Sequence, residues 1–264
     1  MDSIQLDYSS IFITLLFLTI SSVFDLRTRE VPDKIWLIYG SLGLAITIIR
    51  LFVDPTILVL TVASIGLAIL IAFGMVYFGL FGGADAKALM CIGITIPLAP
   101  SAIQPILGYV YPFFPITAIL TSYVCSFSTV LWQGSRNLVK LAKGGSDMFE
   151  GLEEEPSWKK ALAFVTGYCT NIQKLRTTPH LIPMEEIVED ETGKHRKLRI
   201  YSIADTDPEE EVSNLIKSRS DSPPDAKVWV TPALPMLLFM LAGVIVTLAI
   251  GDPIFKLAQI LARR

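Results

Sequence analysis

Two carboxylates stand at the margins of apolar runs: Asp25, in FDLRTREVPD (24–33), and Asp85, in FGLFGGADAKALM (78–90). An ionisable group in such a setting is costly and marks a functional site. Two carboxyls that face each other in a partly dry site cannot both ionise, so one keeps its proton. Such a pair serves as general base and general acid toward a water and a peptide carbonyl. That is aspartic-protease chemistry. Gly82 and Gly83 let the backbone leave helical geometry just before Asp85, which gives an extended substrate access to the carboxylates. Asp85 then stands near a helix N-terminus, where an anion is favoured. A plainer role competes for both residues, because Asp is a common cap and first-turn residue at span ends.

The elements that carry them are membrane helices. The chain has 264 residues, 52% of them hydrophobic, and a mean hydropathy of +0.54, too apolar for a soluble domain of this size. The first apolar run, Tyr8 to Phe24, is preceded by Asp2 and Asp7 and by no Lys or Arg, the opposite of a signal peptide's basic start. Further runs of span length are Ile35 to Val53 and Ile57 to Phe81. The charge-free stretch Ala88 to Ser135 is long enough for two spans, with prolines at 97, 100, 105, 112 and 115 marking the turn. A last run, Val228 to Gly251, makes six. The expected fold is an all-α membrane protein of six transmembrane helices with a β-containing cytoplasmic insert between spans five and six.

The expected domains are a membrane core at 1–135, the insert at 136–227, and the sixth span with an interfacial tail at 228–264. Residues 136–227 hold 14 of the 22 Lys and Arg and 17 of the 25 Asp and Glu, so this part is water-soluble. Within it, EEIVEDETGKHRKLRIYSI (185–203) predicts a hairpin with a Gly-containing loop, while DPEEE (207–211) and SDSPPD (220–225) read as mobile linker. The tail IFKLAQILARR is weakly amphipathic and either lies on the outer interface or frays.

With the N-terminus outside, Arg27, Arg29, Lys34, Lys87, Arg136, Lys140, Lys143 and Lys227 share one side, and Arg50, Lys256, Arg263 and Arg264 the other. The excess of positive charge puts the insert in the cytoplasm. Asp25 ends the first span and Asp85 opens the fourth. Two crossings separate them, so both return to the cytoplasmic face.

The remaining polar residues carry blander expectations. Lys87 is about 200° around a helix from Asp85, which suits snorkelling and topology better than tuning of the carboxylate. Asp33, after Pro32, is expected to cap the second span, with contact to a basic leader peptide as a rival role. Arg27 and Arg29 read as inside-positive markers. Cys91, Cys125 and Cys169 show no paired spacing, and His180 and His195 are too few for a metal site. Neither a metal nor an organic cofactor is expected, since a dyad activates water itself. A net charge of −3 with no long basic run argues against nucleic acid as a partner.

On these residues the chain resembles a known family. FDLRTREVPD is similar to the first aspartate motif of type IV prepilin peptidases and archaeal preflagellin peptidases. GGADAK (82–87) is similar to the second, the GxGD signature of intramembrane aspartic proteases, with Ala84 where that signature has Gly, a substitution compatible with the preflagellin branch. In TPALPM (231–236), Pro232, Ala233 and Leu234 resemble the substrate-docking motif of the presenilin branch. The resemblance implies Asp25 and Asp85 as the catalytic pair. It also implies preflagellin or pilin-like precursors as substrates, cleavage at the cytoplasmic face, and the lipid bilayer as surroundings. Bacterial prepilin peptidases usually add a region with paired cysteines and an N-methylating activity; there is no CxxC pair here, so a peptidase alone is expected.

Two other classes compete. A carboxylate-dependent transporter would set its aspartates near the midplane within an inverted repeat, whereas both lie at one edge here and no repeat is evident. A scaffold presenting the insert to a partner would need neither carboxylate.

Overall fold

The structure, a computed structural model, describes residues 2–80, 82–144, 146–178, 181–190, 193–199, 208–219, 223 and 226–262. The chain divides into two compact units, Met1–Ser126 with Pro235–Arg264, and Phe127–Leu234.

Five helices come first: α1 (Ser3–Thr28), α2 (Asp33–Val53), α3 (Leu58–Tyr77), α4 (Gly83–Thr95) and α5 (Phe114–Ala142). Their ends follow from local chemistry. Asp54 accepts the backbone N–H of Thr56 at 3.0 Å and opens a short 3₁₀ turn at Pro55. α3 closes on Gly79, left-handed at φ 66°. The Gly79 N–H donates to the Val76 carbonyl at 2.9 Å and the Leu80 N–H to that of Met75 at 2.8 Å, the paired bonds of a Schellman motif. α4 stops ahead of Pro97.

The helices of the first unit are apolar outside and bury polar side chains among the apolar ones of their core. On α1, Ile4, Tyr8, Phe12, Leu16 and Ile20 are exposed, while Asp7, Ser10, Thr14 and Ser21 are buried. That inversion suits a helix whose surroundings are lipid. Small residues let the helices approach closely. A Cβ added at Gly93 would come within 2.6 Å of the Ala68 methyl, and one at Gly243 within 2.7 Å of the Ser122 nitrogen. At the end of α1 remote from Asp25, buried Asp7 binds Arg50 of α2 at 2.6 Å. It also accepts from the Ser101 hydroxyl and the Ala102 N–H, both at 3.0 Å, so the loop after α4 is tied to the first two helices.

The second unit contains α6 (Ser157–Thr166), β1 (Tyr168–Asn171), α7 (Ile172–Thr177), β2 (Leu181–Pro183), β3 (Glu185–Asp190), β4 (Gly193–Leu198), α8 (Pro208–Ser218) and β5 (Lys227–Pro232). Strands β1, β5 and β2 form an antiparallel sheet in that order, and β3 pairs with β4. The expected hairpin is present over its described part. Asp190 stands opposite Gly193, so Gly193 belongs to the ladder rather than the loop; Glu191, Thr192 and 200–203 lie outside the described residues. The unit is centred on Trp229, fully buried and stacked on Phe149 with ring centroids 4.6 Å apart. Buried Glu185 accepts two hydrogen bonds from Arg196, at 2.9 and 2.8 Å, and one from the Trp229 N–H at 2.6 Å.

Two expectations change, and a third is met in part. From Pro208 onward the DPEEE stretch is not linker but the start of α8, with Pro in the first-turn position it tolerates; of SDSPPD only Pro223 is described. The run beginning at Val228 does not start as a span. Lys227–Pro232 is a strand, and α9 (Met236–Ala249) begins only after Pro235, followed by α10 (Pro253–Ala262) at a bend of 58°. Finally, four helices are long and apolar enough to cross a membrane among the described residues, or five if the bent α9–α10 pair counts as one. α4 has 13 residues, about 20 Å of helix against roughly 30 Å of hydrocarbon.

Candidate active site

Asp25 lies in the last turns of α1, and the way that helix ends decides what surrounds it. Arg29 takes the left-handed conformation at φ 58°, the one non-glycine residue to do so among those described. Its N–H donates to the Asp25 carbonyl at 3.2 Å, and Pro32 follows shortly, as after many such ends. The turn folds the Arg29 side chain back along the helix, where Nη1 stands 3.7 Å from Asp25 Oδ1. Both side chains are mostly covered.

Asp85 enters from the first turn of α4. Gly82 caps this helix in an extended conformation, and its N–H donates to Asp85 Oδ2 at 3.2 Å, which holds the carboxylate at the positive end of the helix. The backbone leaves helical geometry at Gly82, just before the helix that bears Asp85. Gly82 has φ −73° and Gly83 is already helical, so neither conformation requires glycine; the obligatory left-handed glycine is Gly79, on the other side of Phe81. What Gly83 does provide is room, since a Cβ there would meet nothing within 4 Å.

The fold brings the two aspartates into electrostatic reach of each other, and Asp85 also feels the Arg29 guanidinium. Tyr123 of α5 lies within reach of Asp85, and its hydroxyl donates to the Met75 sulfur at 3.5 Å. Lys87 pairs with Asp33 at 2.6 Å. It therefore ties the start of α4 to the start of α2 rather than simply snorkelling. Asp33 is the first helical residue after the cap Pro32, with its carboxylate turned to Lys87. Below this pair a groove of about 530 Å³ runs between α2 and α4, lined by Trp36, Leu37, Gly40, Leu44 and Met90 among others.

Pro232 closes β5, and Ala233 and Leu234 follow it in the second unit. His195 is in β4, and His180 lies outside the described residues. Among the described residues no three His, Cys, Asp or Glu side chains gather as metal ligands, and the three cysteines are free thiols.

The sequence pattern of the type IV leader peptidase family matches residues 12–130, which contain Asp25, Asp85, Arg29 and Tyr123. That of the archaeal peptidase A24 C-terminus, type II, matches 159–253, which contain Pro232, Ala233 and Leu234. The chain is similar to the type IV leader peptidase family over the stretch that holds both aspartates. Its relatives include a preflagellin peptidase from Methanocaldococcus jannaschii, 26% identical over 90% of this chain and 92% of that one. Another, from Methanococcus voltae, is 24% identical over 93% and 96%. The likeness marks the chain as a protease, and its long apolar helices mark it as a multi-pass membrane protein.

Sequence reasoning misses two of the residues beside this aspartate pair. Arg29 is readable in hindsight, four residues after Asp25 on a helix, although the left-handed turn that brings it back is not. Tyr123 carries no signal, sitting in a long uncharged run among other aromatic residues.

Proposed function

We propose that the chain removes the short basic leader from preflagellin precursors by aspartic-protease chemistry at the cytoplasmic membrane face. One of Asp25 and Asp85 is ionised and takes a proton from a water molecule as its oxygen attacks the scissile carbonyl. The protonated partner gives its proton to the carbonyl oxygen, forming a gem-diol. Collapse of the diol breaks the C–N bond: one hydroxyl proton returns to the carboxylate that gave up its own, and the proton first taken from water passes to the departing amine. No metal or organic cofactor enters this scheme. The chain's relatives act on preflagellins by name; pilin-like precursors are the alternative substrate within the same family.

The observation that supports the reading is that two carboxylates, 60 residues apart in the chain, lie within electrostatic reach of each other at one end of the helical unit. Caps have no reason to converge. The full layout we propose has six crossings, with α4 and the apolar loop after it supplying the fourth. Gly82, Gly83 and Ala84 leave the approach to Asp85 open, and Pro232, Ala233 and Leu234 take part in holding the substrate.

Cleavage of a purified preflagellin by wild type, Asp25→Asn and Asp85→Asn tests the reading. Each aspartate variant should lose at least about 10²–10⁴-fold in rate, the usual worth of a positioned acid or base, while staying folded and inserted. Variants that cleave at the wild-type rate would overturn it. A wild type that cuts only pilin-like precursors would move the substrate and keep the dyad.

A further inference from the structure

Ser21 and Ser22 precede Asp25 by four and three residues on α1, so both stand one turn before it on neighbouring faces of the helix. They are 0% and 3% exposed, and neither hydroxyl oxygen has a hydrogen-bond partner among the described residues. This departs from the habit of the same helix. Ser9, Thr19 and Thr28 each donate to the carbonyl four residues back, at 2.8, 2.7 and 3.0 Å. Buried hydroxyls elsewhere in the unit also find acceptors: Thr47 donates to the Ile94 carbonyl and Ser64 to that of Pro97, both at 2.6 Å.

A serine on a helix always has the carbonyl four back within reach. One that is buried and leaves that bond unmade forfeits its hydration with no return. Of the buried hydroxyls on α1, Thr14 stands beside the Tyr39 phenol, and Ser10 accepts from Arg50 at 3.2 Å. The others without a partner, Tyr39, Thr61, Thr95, Thr121 and Thr247, are on different helices. The unmet pair on the helix that bears Asp25 is therefore the pair next to Asp25.

We infer that Ser21 and Ser22 form a water-holding niche beneath Asp25, which keeps the nucleophilic water against the carboxylates in otherwise apolar surroundings. A buried water needs about three hydrogen bonds, and two hydroxyls with one carboxylate oxygen supply that number. The serines are positioning residues: they fix the attacking oxygen, while proton transfer stays with the aspartates. The inference rests on Asp25 being catalytic.

The test uses the full chain in lipid, with Ser21→Ala, Ser22→Ala, the double variant and Ser21→Thr, and Asp25→Asn run beside them. Expected is a fall of about tenfold in kcat for the double variant with KM unchanged, since only the oriented water is lost. The thermal midpoint should change little, because the hydroxyls leave together with the water that they bond. Ser21→Thr, which keeps the hydroxyl, should retain most of the rate. A double variant with wild-type kcat overturns the niche, as does a rise in KM alone, which would mark a substrate contact. A kcat loss accompanied by a lower thermal midpoint also overturns it, the serines then being packing. If Asp25→Asn itself cleaves normally, the dyad reading has failed instead.

Discussion

Arg29 is held where glycine is the usual choice. Its left-handed conformation costs a non-glycine residue roughly 1–2 kcal/mol, and a helix end just before a proline commonly has Gly there. The return on that strain is a cation 3.7 Å from Asp25. A carboxylate pair that must hold one proton gives a bell-shaped rate profile, lost in acid when both are protonated and in base when both are ionised. The two limbs belong to the pair rather than to either residue. A nearby cation favours the ionised states, so its removal moves both limbs toward higher pH. Arg29→Gly should therefore be as stable as wild type or more so, yet show kcat/KM displaced to higher pH. Arg29→Lys should keep the profile near its original place. A Gly variant with an unmoved profile would reduce Arg29 to a helix terminator.

At the scale of elements, α4 carries Asp85 on a short helix wedged among α1, α2 and α3, and glycine makes the wedge possible. A Cβ at Gly93 would meet the Ala68 methyl at 2.6 Å, whereas one at Gly66 on α3 meets nothing within 4 Å. The same chemical change should therefore act in opposite directions. Gly93→Ala overpacks a dry helix contact and should destabilise by about 1–3 kcal/mol. Gly66→Ala should stabilise by roughly 0.5–1 kcal/mol, since alanine loses less freedom in a helix. Thermal unfolding of the two variants in one detergent checks both signs, and a stable Gly93→Ala would show that α4 has slack.

Much of this level is legible in sequence. The run Ile35 to Val53 falls within α2 almost end to end, because a charged residue or proline flanks it. The shortness of α4 is harder to read. In a stretch with no charge from Ala88 to Ser135 only the prolines carry information, and Pro97 stops the helix before it reaches span length. β5 is hidden for a related reason: KVWVTP is apolar enough to merge with the run that follows, and a short buried strand cannot be told from a helix by hydropathy alone. Both aspartates stand out because a carboxylate in an apolar context is rare; Tyr123 does not, because an aromatic there is ordinary.

For the whole molecule the open physical question is which way the site faces. At the aspartate end the described residues carry Arg27, Arg29, Lys34 and Lys87; at the other they carry Arg50 and Lys256. Arg50 is not a free charge, for it is buried against Asp7 at 2.6 Å. A neutralised pair contributes little to retention of positive charge on the inner face. The remaining imbalance favours the aspartate end in the cytoplasm, which is also where a leader peptide made on ribosomes would arrive. Single-cysteine chains test this without disturbing the site. With Cys91, Cys125 and Cys169 replaced by serine or alanine, a cysteine at exposed Asp54 and another at exposed Lys34 mark opposite ends of α2. In intact cells a membrane-impermeant thiol reagent should label Asp54→Cys and leave Lys34→Cys untouched until lysis. The reverse pattern would place Asp25 and Asp85 outside, and cleavage of a leader from the cytoplasmic side would then be impossible.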